Sequence, residues 1–148
     1  MNVKTSEIDR AHALRREFHR SGMTLEDLLL PPYEAIVIHS QSTIVVANQA
    51  AAALVGCEPE TLTGMNAWAL FPAASLPLVR AKLAAHATMP YRVIARRLNG
   101  EQFLIEIRGT EFGLNGEPVR AVMLREVETG AAPGVRILNG IACGESGS

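Results

Sequence analysis

The stretch YRVIARRLNGEQFLIEIRGTEF, residues 91–112, decides the fold class. Asn99-Gly100 sits between two segments rich in β-branched and aromatic residues, and both of its members tolerate the positive φ that a tight hairpin turn demands. After the turn, Phe103, Ile105 and Ile107 alternate with Leu104, Glu106 and Arg108, the period of two expected of a strand. Residues 91–98 and 101–112 are therefore predicted to pair antiparallel. Asn115-Gly116 offers a second tight turn, followed by a last strand over 118–127. Here Val119, Ala121 and Met123 alternate with Arg120, Val122 and Leu124, so both faces carry apolar groups. Such a strand is expected in the middle of a sheet covered on both sides.

Working backwards, residues 35–38 and 43–47 are β-branched-rich runs joined by the polar segment His39-Ser40-Gln41-Ser42. Asn48 is placed to cap a short helix over 49–55 that Gly56 ends. Pro59 opens a further single turn closed at Gly64. Trp68, Leu70 and Phe71 precede Pro72, and a helix is expected over 75–87 with Leu76, Val79 and Leu83 on one face. Two strands, several short helices and three strands predict an α+β fold: a five-stranded antiparallel sheet with helices on one face.

The other face needs a cover, and the first 30 residues offer one. Ser6 with Asp9 reads as a capping box, and Ile8, Ala11, Leu14 and Phe18 trace an apolar stripe along a helix that Ser21-Gly22 stops. Thr24 with Asp27 opens a second short helix before Pro31-Pro32. The stripe has two uses: packing on its own sheet, or pairing with a second copy in a homodimer through residues 1–30 and the sheet face. The chain divides into a helical cap over 1–32, the α+β domain over 33–128, and a Gly-, Ala-, Pro- and Ser-containing tail over 129–148, flexible or loosely docked.

Composition narrows the function. The 148 residues carry 14 basic and 15 acidic side chains, a net charge of -1, which argues against the basic surface of a direct nucleic-acid binder. No apolar run reaches the roughly 20 residues of a membrane span, and no secretory signal is recognisable, so a cytoplasmic protein is expected. Cys57 and Cys143 lie far apart without metal-ligand spacing.

The ordered pieces Glu34-Ala-Ile-Val-Ile-His39, Thr43-Ile-Val-Val-Ala-Asn48, Gln49 to Gly56, Glu58 to Gly64, Arg96-Arg-Leu-Asn-Gly100 and Glu117 to Leu124 resemble the PAS sensory domain family over roughly residues 33–127. The resemblance implies an N-terminal helix that packs on the sheet and supports dimerisation. The Asp-Ile-Thr-like segment that joins many members to an effector helix is replaced by Arg125-Glu-Val-Glu-Thr129, so a signal is expected to pass through association with itself or a separate signalling protein.

Candidate chemistry is sparse. No Gly-x-Ser-x-Gly elbow, His-Glu-x-x-His or phosphate-cradling loop occurs, and a catalytic function is not expected. His39 is expected in a polar turn and Cys57 as a small, partly buried residue. Where flavin-binding relatives carry a reactive cysteine, this chain reads Met65-Asn-Ala-Trp-Ala-Leu-Phe71, which excludes a cysteinyl adduct. Some haem-binding relatives use a His on the helix before the third strand. His86, at the end of the expected helix, is the haem candidate, with a capping or surface imidazole as its alternative. Arg92, Arg96 and Arg97 are candidate anion contacts or a solvated strand face. Trp68, Leu70, Phe71, Val79, Leu83, Phe103, Ile105 and Met123 are expected between helices and sheet, as close-packed core or as the lining of a pocket for a small organic ligand. No cofactor is firmly predicted. The resulting expectation is a non-catalytic sensory or signalling module, with a haem-based sensor and an enzyme as alternatives.

Overall fold

The computed structural model describes residues 3–127, 137–138 and 141–142. Expectations for the rest of the tail over 129–148, and for Cys143, lie outside the described residues. Helix α1 (Val3–Arg20) and a 3-10 turn (Leu25–Leu28) lead into strands β1 (Ala35–Ser40) and β2 (Thr43–Ala47). Helices α2 (Gln49–Val55) and α3 (Pro59–Leu62), 3-10 turns at Ala67–Leu70 and Ala73–Ser75, and α4 (Leu76–Ala84) follow. Strands β3 (Tyr91–Arg96), β4 (Gln102–Leu114) and β5 (Glu117–Glu126) complete the main sheet. It is antiparallel, five-stranded and ordered β2-β1-β5-β4-β3, so the last strand is the central one. Ile137–Leu138 (β6) pairs with Ile141–Ala142 (β7) in a separate two-stranded ladder. Among the described residues no helix is long and apolar enough to cross a membrane.

Local chemistry accounts for most boundaries. Asn48 is used three times: its Oδ1 accepts from Ala51 N at 3.0 Å and from Ile36 N at 3.2 Å, and its Nδ2 donates to the Glu34 carbonyl at 2.8 Å. One side chain thus caps α2 and ties it to the start of β1. Gly56 leaves α2 at φ +90, a left-handed conformation costly for a side chain. Thr24 and Asp27 form the expected capping box, on a 3-10 turn rather than an α-helix. Ser6 does not cap α1, because the helix already begins at Val3. Strand β1 runs through Ser40, two residues past the predicted end, and leaves only Gln41 and Ser42 to turn, both at positive φ (+50 and +73).

Pleating sorts the sheet into two faces. On one, Ile36 faces Met123 across the β1–β5 ladder and Ile38 faces Ala121. Leu14 and Phe18 of α1 close over them, with Val45 and Val119 in the same cluster. The stripe predicted from sequence is spent inside its own chain: Ala11 and Phe18 are each 1% exposed. Burying a side chain such as Phe18 is worth about 1.5–3 kcal/mol. Met123 belongs to this face, not to the space between helices and sheet, because it is out of phase with Val122 and Leu124 on a strand apolar on both sides. The second face carries Val37, Ile107, Val122 and Leu124 toward α2, α4 and the 3-10 turns.

The edge beyond β2 is sealed by the chain between α3 and the next turn. Ile44 N donates to the Met65 carbonyl at 2.9 Å, Gly64 N to Ile44 O at 2.7 Å, and Thr63 Oγ1 to Val45 O at 3.0 Å. Covering an edge in this way blocks pairing with another strand. Helix α4 ends at Ala84, three residues earlier than predicted, and His86 follows at φ +52.

Candidate functional site

Between the second face and the segment from Ala67 to Leu83 lies a cavity of about 80 Å³. Trp68, Leu70 and Phe71 wall it from the 3-10 turn and the residue that follows, and Val79 and Leu83 from α4. Val37, Ile107, Val122 and Leu124 form the floor. Phe103 and Ile105 do not line it; they pack with Val79 and Val93 in the neighbouring part of the core. The volume is below the roughly 300–1,000 Å³ of pockets for drug-sized ligands. It exceeds by several-fold the roughly 10–15 Å³ that one water requires.

One end of this cavity is polar. His39 on β1, Arg120 on β5 and Glu111 on β4 are register partners, so the three side chains stand in one row across adjacent strands. His39, Ser42, Lys82 and Arg120 are its polar lining side chains, and Tyr91 lines it too. Arg120 is 7% exposed. Its Nη2 donates to the Ala87 carbonyl at 2.5 Å, while Nη1 is buried without a hydrogen-bond partner and lies 3.6 Å from Glu111 Oε2. The guanidinium lies over Gly109, where an added Cβ would come within 2.5 Å of it. A glycine in mid-strand usually marks such a close approach.

His39 accepts a hydrogen bond from Ser42 N at Nδ1, 3.3 Å away, which leaves the proton of the neutral ring on Nε2. Burial, and then the Arg120 charge, push its pKa from 6.5 down to about 4, against a smaller opposite pull from Glu111. The ring is neutral at pH 7. Lys82 Nζ sits 5.5 Å from the centre of the Tyr91 ring, and burial raises the Tyr91 phenol's pKa. All the polar groups at this end can therefore donate, and the nearest carboxylate is Glu111.

The remaining sequence candidates sit elsewhere. His86 is largely exposed, does not line the cavity, and holds Nδ1 2.5 Å from Glu111 Oε2. A cavity of about 80 Å³ with His86 outside it does not fit a haem. Cys57 packs beside α2, with its thiol pushed up by burial and by Glu58, which opposes a nucleophilic role. Arg97 is structural: Nη1 donates to the Leu54 carbonyl at 2.5 Å, Nε to Glu101 at 2.9 Å and Nη2 to Glu126 at 3.2 Å. Arg92 pairs with Glu106, and Arg96 donates to the Ala69 carbonyl. Sequence reasoning passed over Arg120. The available signal was a charged residue on a strand already expected to be covered on both sides.

These features can be set beside known proteins. A family profile described as PAS domain matches residues 34–128. No curated protein matches the chain. Among solved structures, the PAS domain of an HTR-like protein from Haloarcula marismortui is 19% identical, with a TM-score of 0.58 over 76% of this chain and 96% of that one. A light-oxygen-voltage domain studied with a flavin analogue is 20% identical, with a TM-score of 0.55 over 64% of this chain and 78% of that one. The PAS domain of a LuxR-family transcriptional regulator from Burkholderia thailandensis, in complex with ethanol, is 20% identical, with a TM-score of 0.52 over 66% and 91%. At such identities these likenesses speak to fold. Sheet order, helix placement and a profile match over most of the described chain agree: the chain belongs to the PAS domain family, whose members are sensory modules rather than enzymes.

Proposed function

We propose that this PAS domain senses a small organic molecule held in the cavity between sheet and α4, and reports it by associating with a second copy or with a separate signalling protein. The observation that carries the reading is the cavity itself: apolar walls with a few convergent polar groups at one end, the usual make-up of a ligand site. The complex of a structurally similar PAS domain with ethanol is in keeping with an occupant of this size. In this reading residues 33–128 form the sensing unit and residues 1–32 its cap and the route to a partner. A ligand transmits a signal only if it binds one arrangement of the walls better than another. Leu83 and Trp68, on the wall opposite the sheet, are the side chains whose movement would register occupancy.

Native mass spectrometry of the full chain, paired with light scattering of the chain with and without residues 1–30, tests both halves. The reading expects an added small-molecule mass on the gently ionised particle and a self-associated species of the full chain, lost on truncation while the circular-dichroism spectrum of the sheet is kept, since truncation also uncovers Ile36, Ile38 and Met123. A particle of bare chain mass under all conditions, combined with failure of small molecules to perturb the cavity residues, would remove the sensing half. An unchanged monomer before and after truncation would remove the helix-mediated dimer.

A further inference from the structure

We propose that the cavity selects a small monocarboxylate, its carboxylate meeting Arg120 and His39 and its short hydrocarbon part lying against Leu70, Val79 and Val122. The inference rests on reading the cavity as a ligand site and adds the chemical class. Arg120 is the decisive group. It lines the cavity as a side chain only 7% exposed, its guanidinium carries a full charge, and Nη1 has no hydrogen-bond partner, with Glu111 Oε2 3.6 Å away. Leaving such a donor buried and unmet costs free energy that an acceptor would recover. A carboxylate is the acceptor that a guanidinium fits best, through short charge-assisted bonds.

The neighbours favour the same class. His39, with Nδ1 already accepting from Ser42 N, can offer only Nε2–H. Lys82 adds a positive charge at the wall. Donors and cations converge on one end, so an acceptor-only head group satisfies them and an ammonium does not. Beyond that end the lining is aliphatic and aromatic, which disfavours a second charged group. A volume of about 80 Å³ limits the guest to a handful of heavy atoms. The charge balance around Arg120 is open to this guest. Glu111 is 3.6 Å from Nη1, half exposed, and already engaged by His86 at 2.5 Å. An incoming carboxylate therefore competes with a solvated, shared counter-ion rather than with a buried pair.

Butyrate, butyramide and butanol, titrated at equal ionic strength into the isotope-labelled full chain at pH 7, separate the alternatives by NMR. Butyrate is expected to shift the amide signals of residues 37–42 and 119–124 saturably, and to bind at least tenfold tighter than butyramide. Arg120→Gln is expected to abolish that preference, so that butyrate binds no tighter than butyramide. Because Arg120→Gln also removes the bond to Ala87, a second variant guards against misfolding. Glu111→Gln, on the solvent side, removes the competing carboxylate and should tighten butyrate binding several-fold without affecting butanol. Equal binding of all three probes, or butyrate affinity indifferent to both substitutions, overturns the carboxylate assignment and leaves the sensing reading intact. No response of the cavity residues to any probe overturns both.

Discussion

On one side of the sheet, Leu14 and Phe18 of a single long helix share one buried cluster with Ile36, Ile38, Ala121 and Met123. On the other, short helices and 3-10 turns interrupted by Gly56, Gly64 and Pro72 stop short of Val37, Val122 and Leu124 and leave a cavity. Both faces come from the same strands by the same alternation. What differs is the cover. A continuous helix presents one stripe at a regular spacing, whereas several short pieces meet the sheet at separate points and enclose space between them. On the closed face Glu106 accepts from Tyr33 at 2.5 Å and from Arg125 at 3.0 Å, and Arg15 of the covering helix has a buried Nε without a hydrogen-bond partner. The open face carries Arg120 into its interior. A closed core and an open cavity thus occupy opposite sides of one sheet.

The largest effect expected from this division is on the closed face. Phe18→Ala should cost about 3–5 kcal/mol in chemical denaturation, the range for truncating a buried aromatic. A loss below about 1 kcal/mol would show that α1 contributes little to holding the sheet.

The open face should respond to pH. His39 binds a proton in the unfolded chain near its ordinary pKa of 6.5 but in the fold only near 4. Between those values the unfolded state holds more protons, so stability falls as pH falls and is fully present above about 6.5. The shift corresponds to a loss of roughly 3 kcal/mol by about pH 4. His39→Gln should flatten the profile in that window; an unaltered slope would assign the acid sensitivity to other groups.

Adding one or two methyl groups on each face gives the most direct comparison. Ala121→Val overpacks the closed face and should cost about 1–3 kcal/mol. Val122→Ile, one residue along the same strand, grows into the cavity and should be neutral or stabilising by up to about 1 kcal/mol. The latter should also weaken small-molecule binding. Equal costs would mean that the cavity is not available space. The smallest effect belongs to the junction of β1 and α2, where Asn48→Ala should cost about 1 kcal/mol, near the middle of the range for losing an N-cap. Thermal melting is sufficient to detect it, and an unchanged midpoint would discount the cap.

The sequence carried those parts of the fold that depend on neighbouring residues. The alternation of β4, the Asn99-Gly100 turn, the cap at Asn48 and the stop at Gly56 are local events, and each is found where local chemistry puts it. The length of α4 was not legible, because Ala84-Ala85-His86-Ala87 contains no glycine or proline to mark the end. Five of the residues expected around a pocket line the cavity: Trp68, Leu70, Phe71, Val79 and Leu83. Met123 was assigned to the wrong face because a central strand apolar on both sides gives alternation no sign. Arg120 and His39 were missed as a pair for a related reason. Their association is across strands, set by a ladder register that the separate segments do not encode individually.

The guanidinium lying over Gly109 has an evolutionary consequence. With Arg120 in place, a methyl group at position 109 would come within 2.5 Å of the guanidinium and push it away from the Ala87 carbonyl it now meets. The two positions should therefore be inherited as a pair, eleven residues apart and on different strands. In close homologues, Arg at 120 should be accompanied by Gly at 109, while a side chain at 109 should appear where the arginine has gone or its guanidinium has turned away. A homologue of that second kind would keep the sheet, the helices and the family profile but have lost the guanidinium at the polar end of the cavity. The state of these two positions would then separate, within one fold, homologues with and without a buried guanidinium on the open face of the sheet.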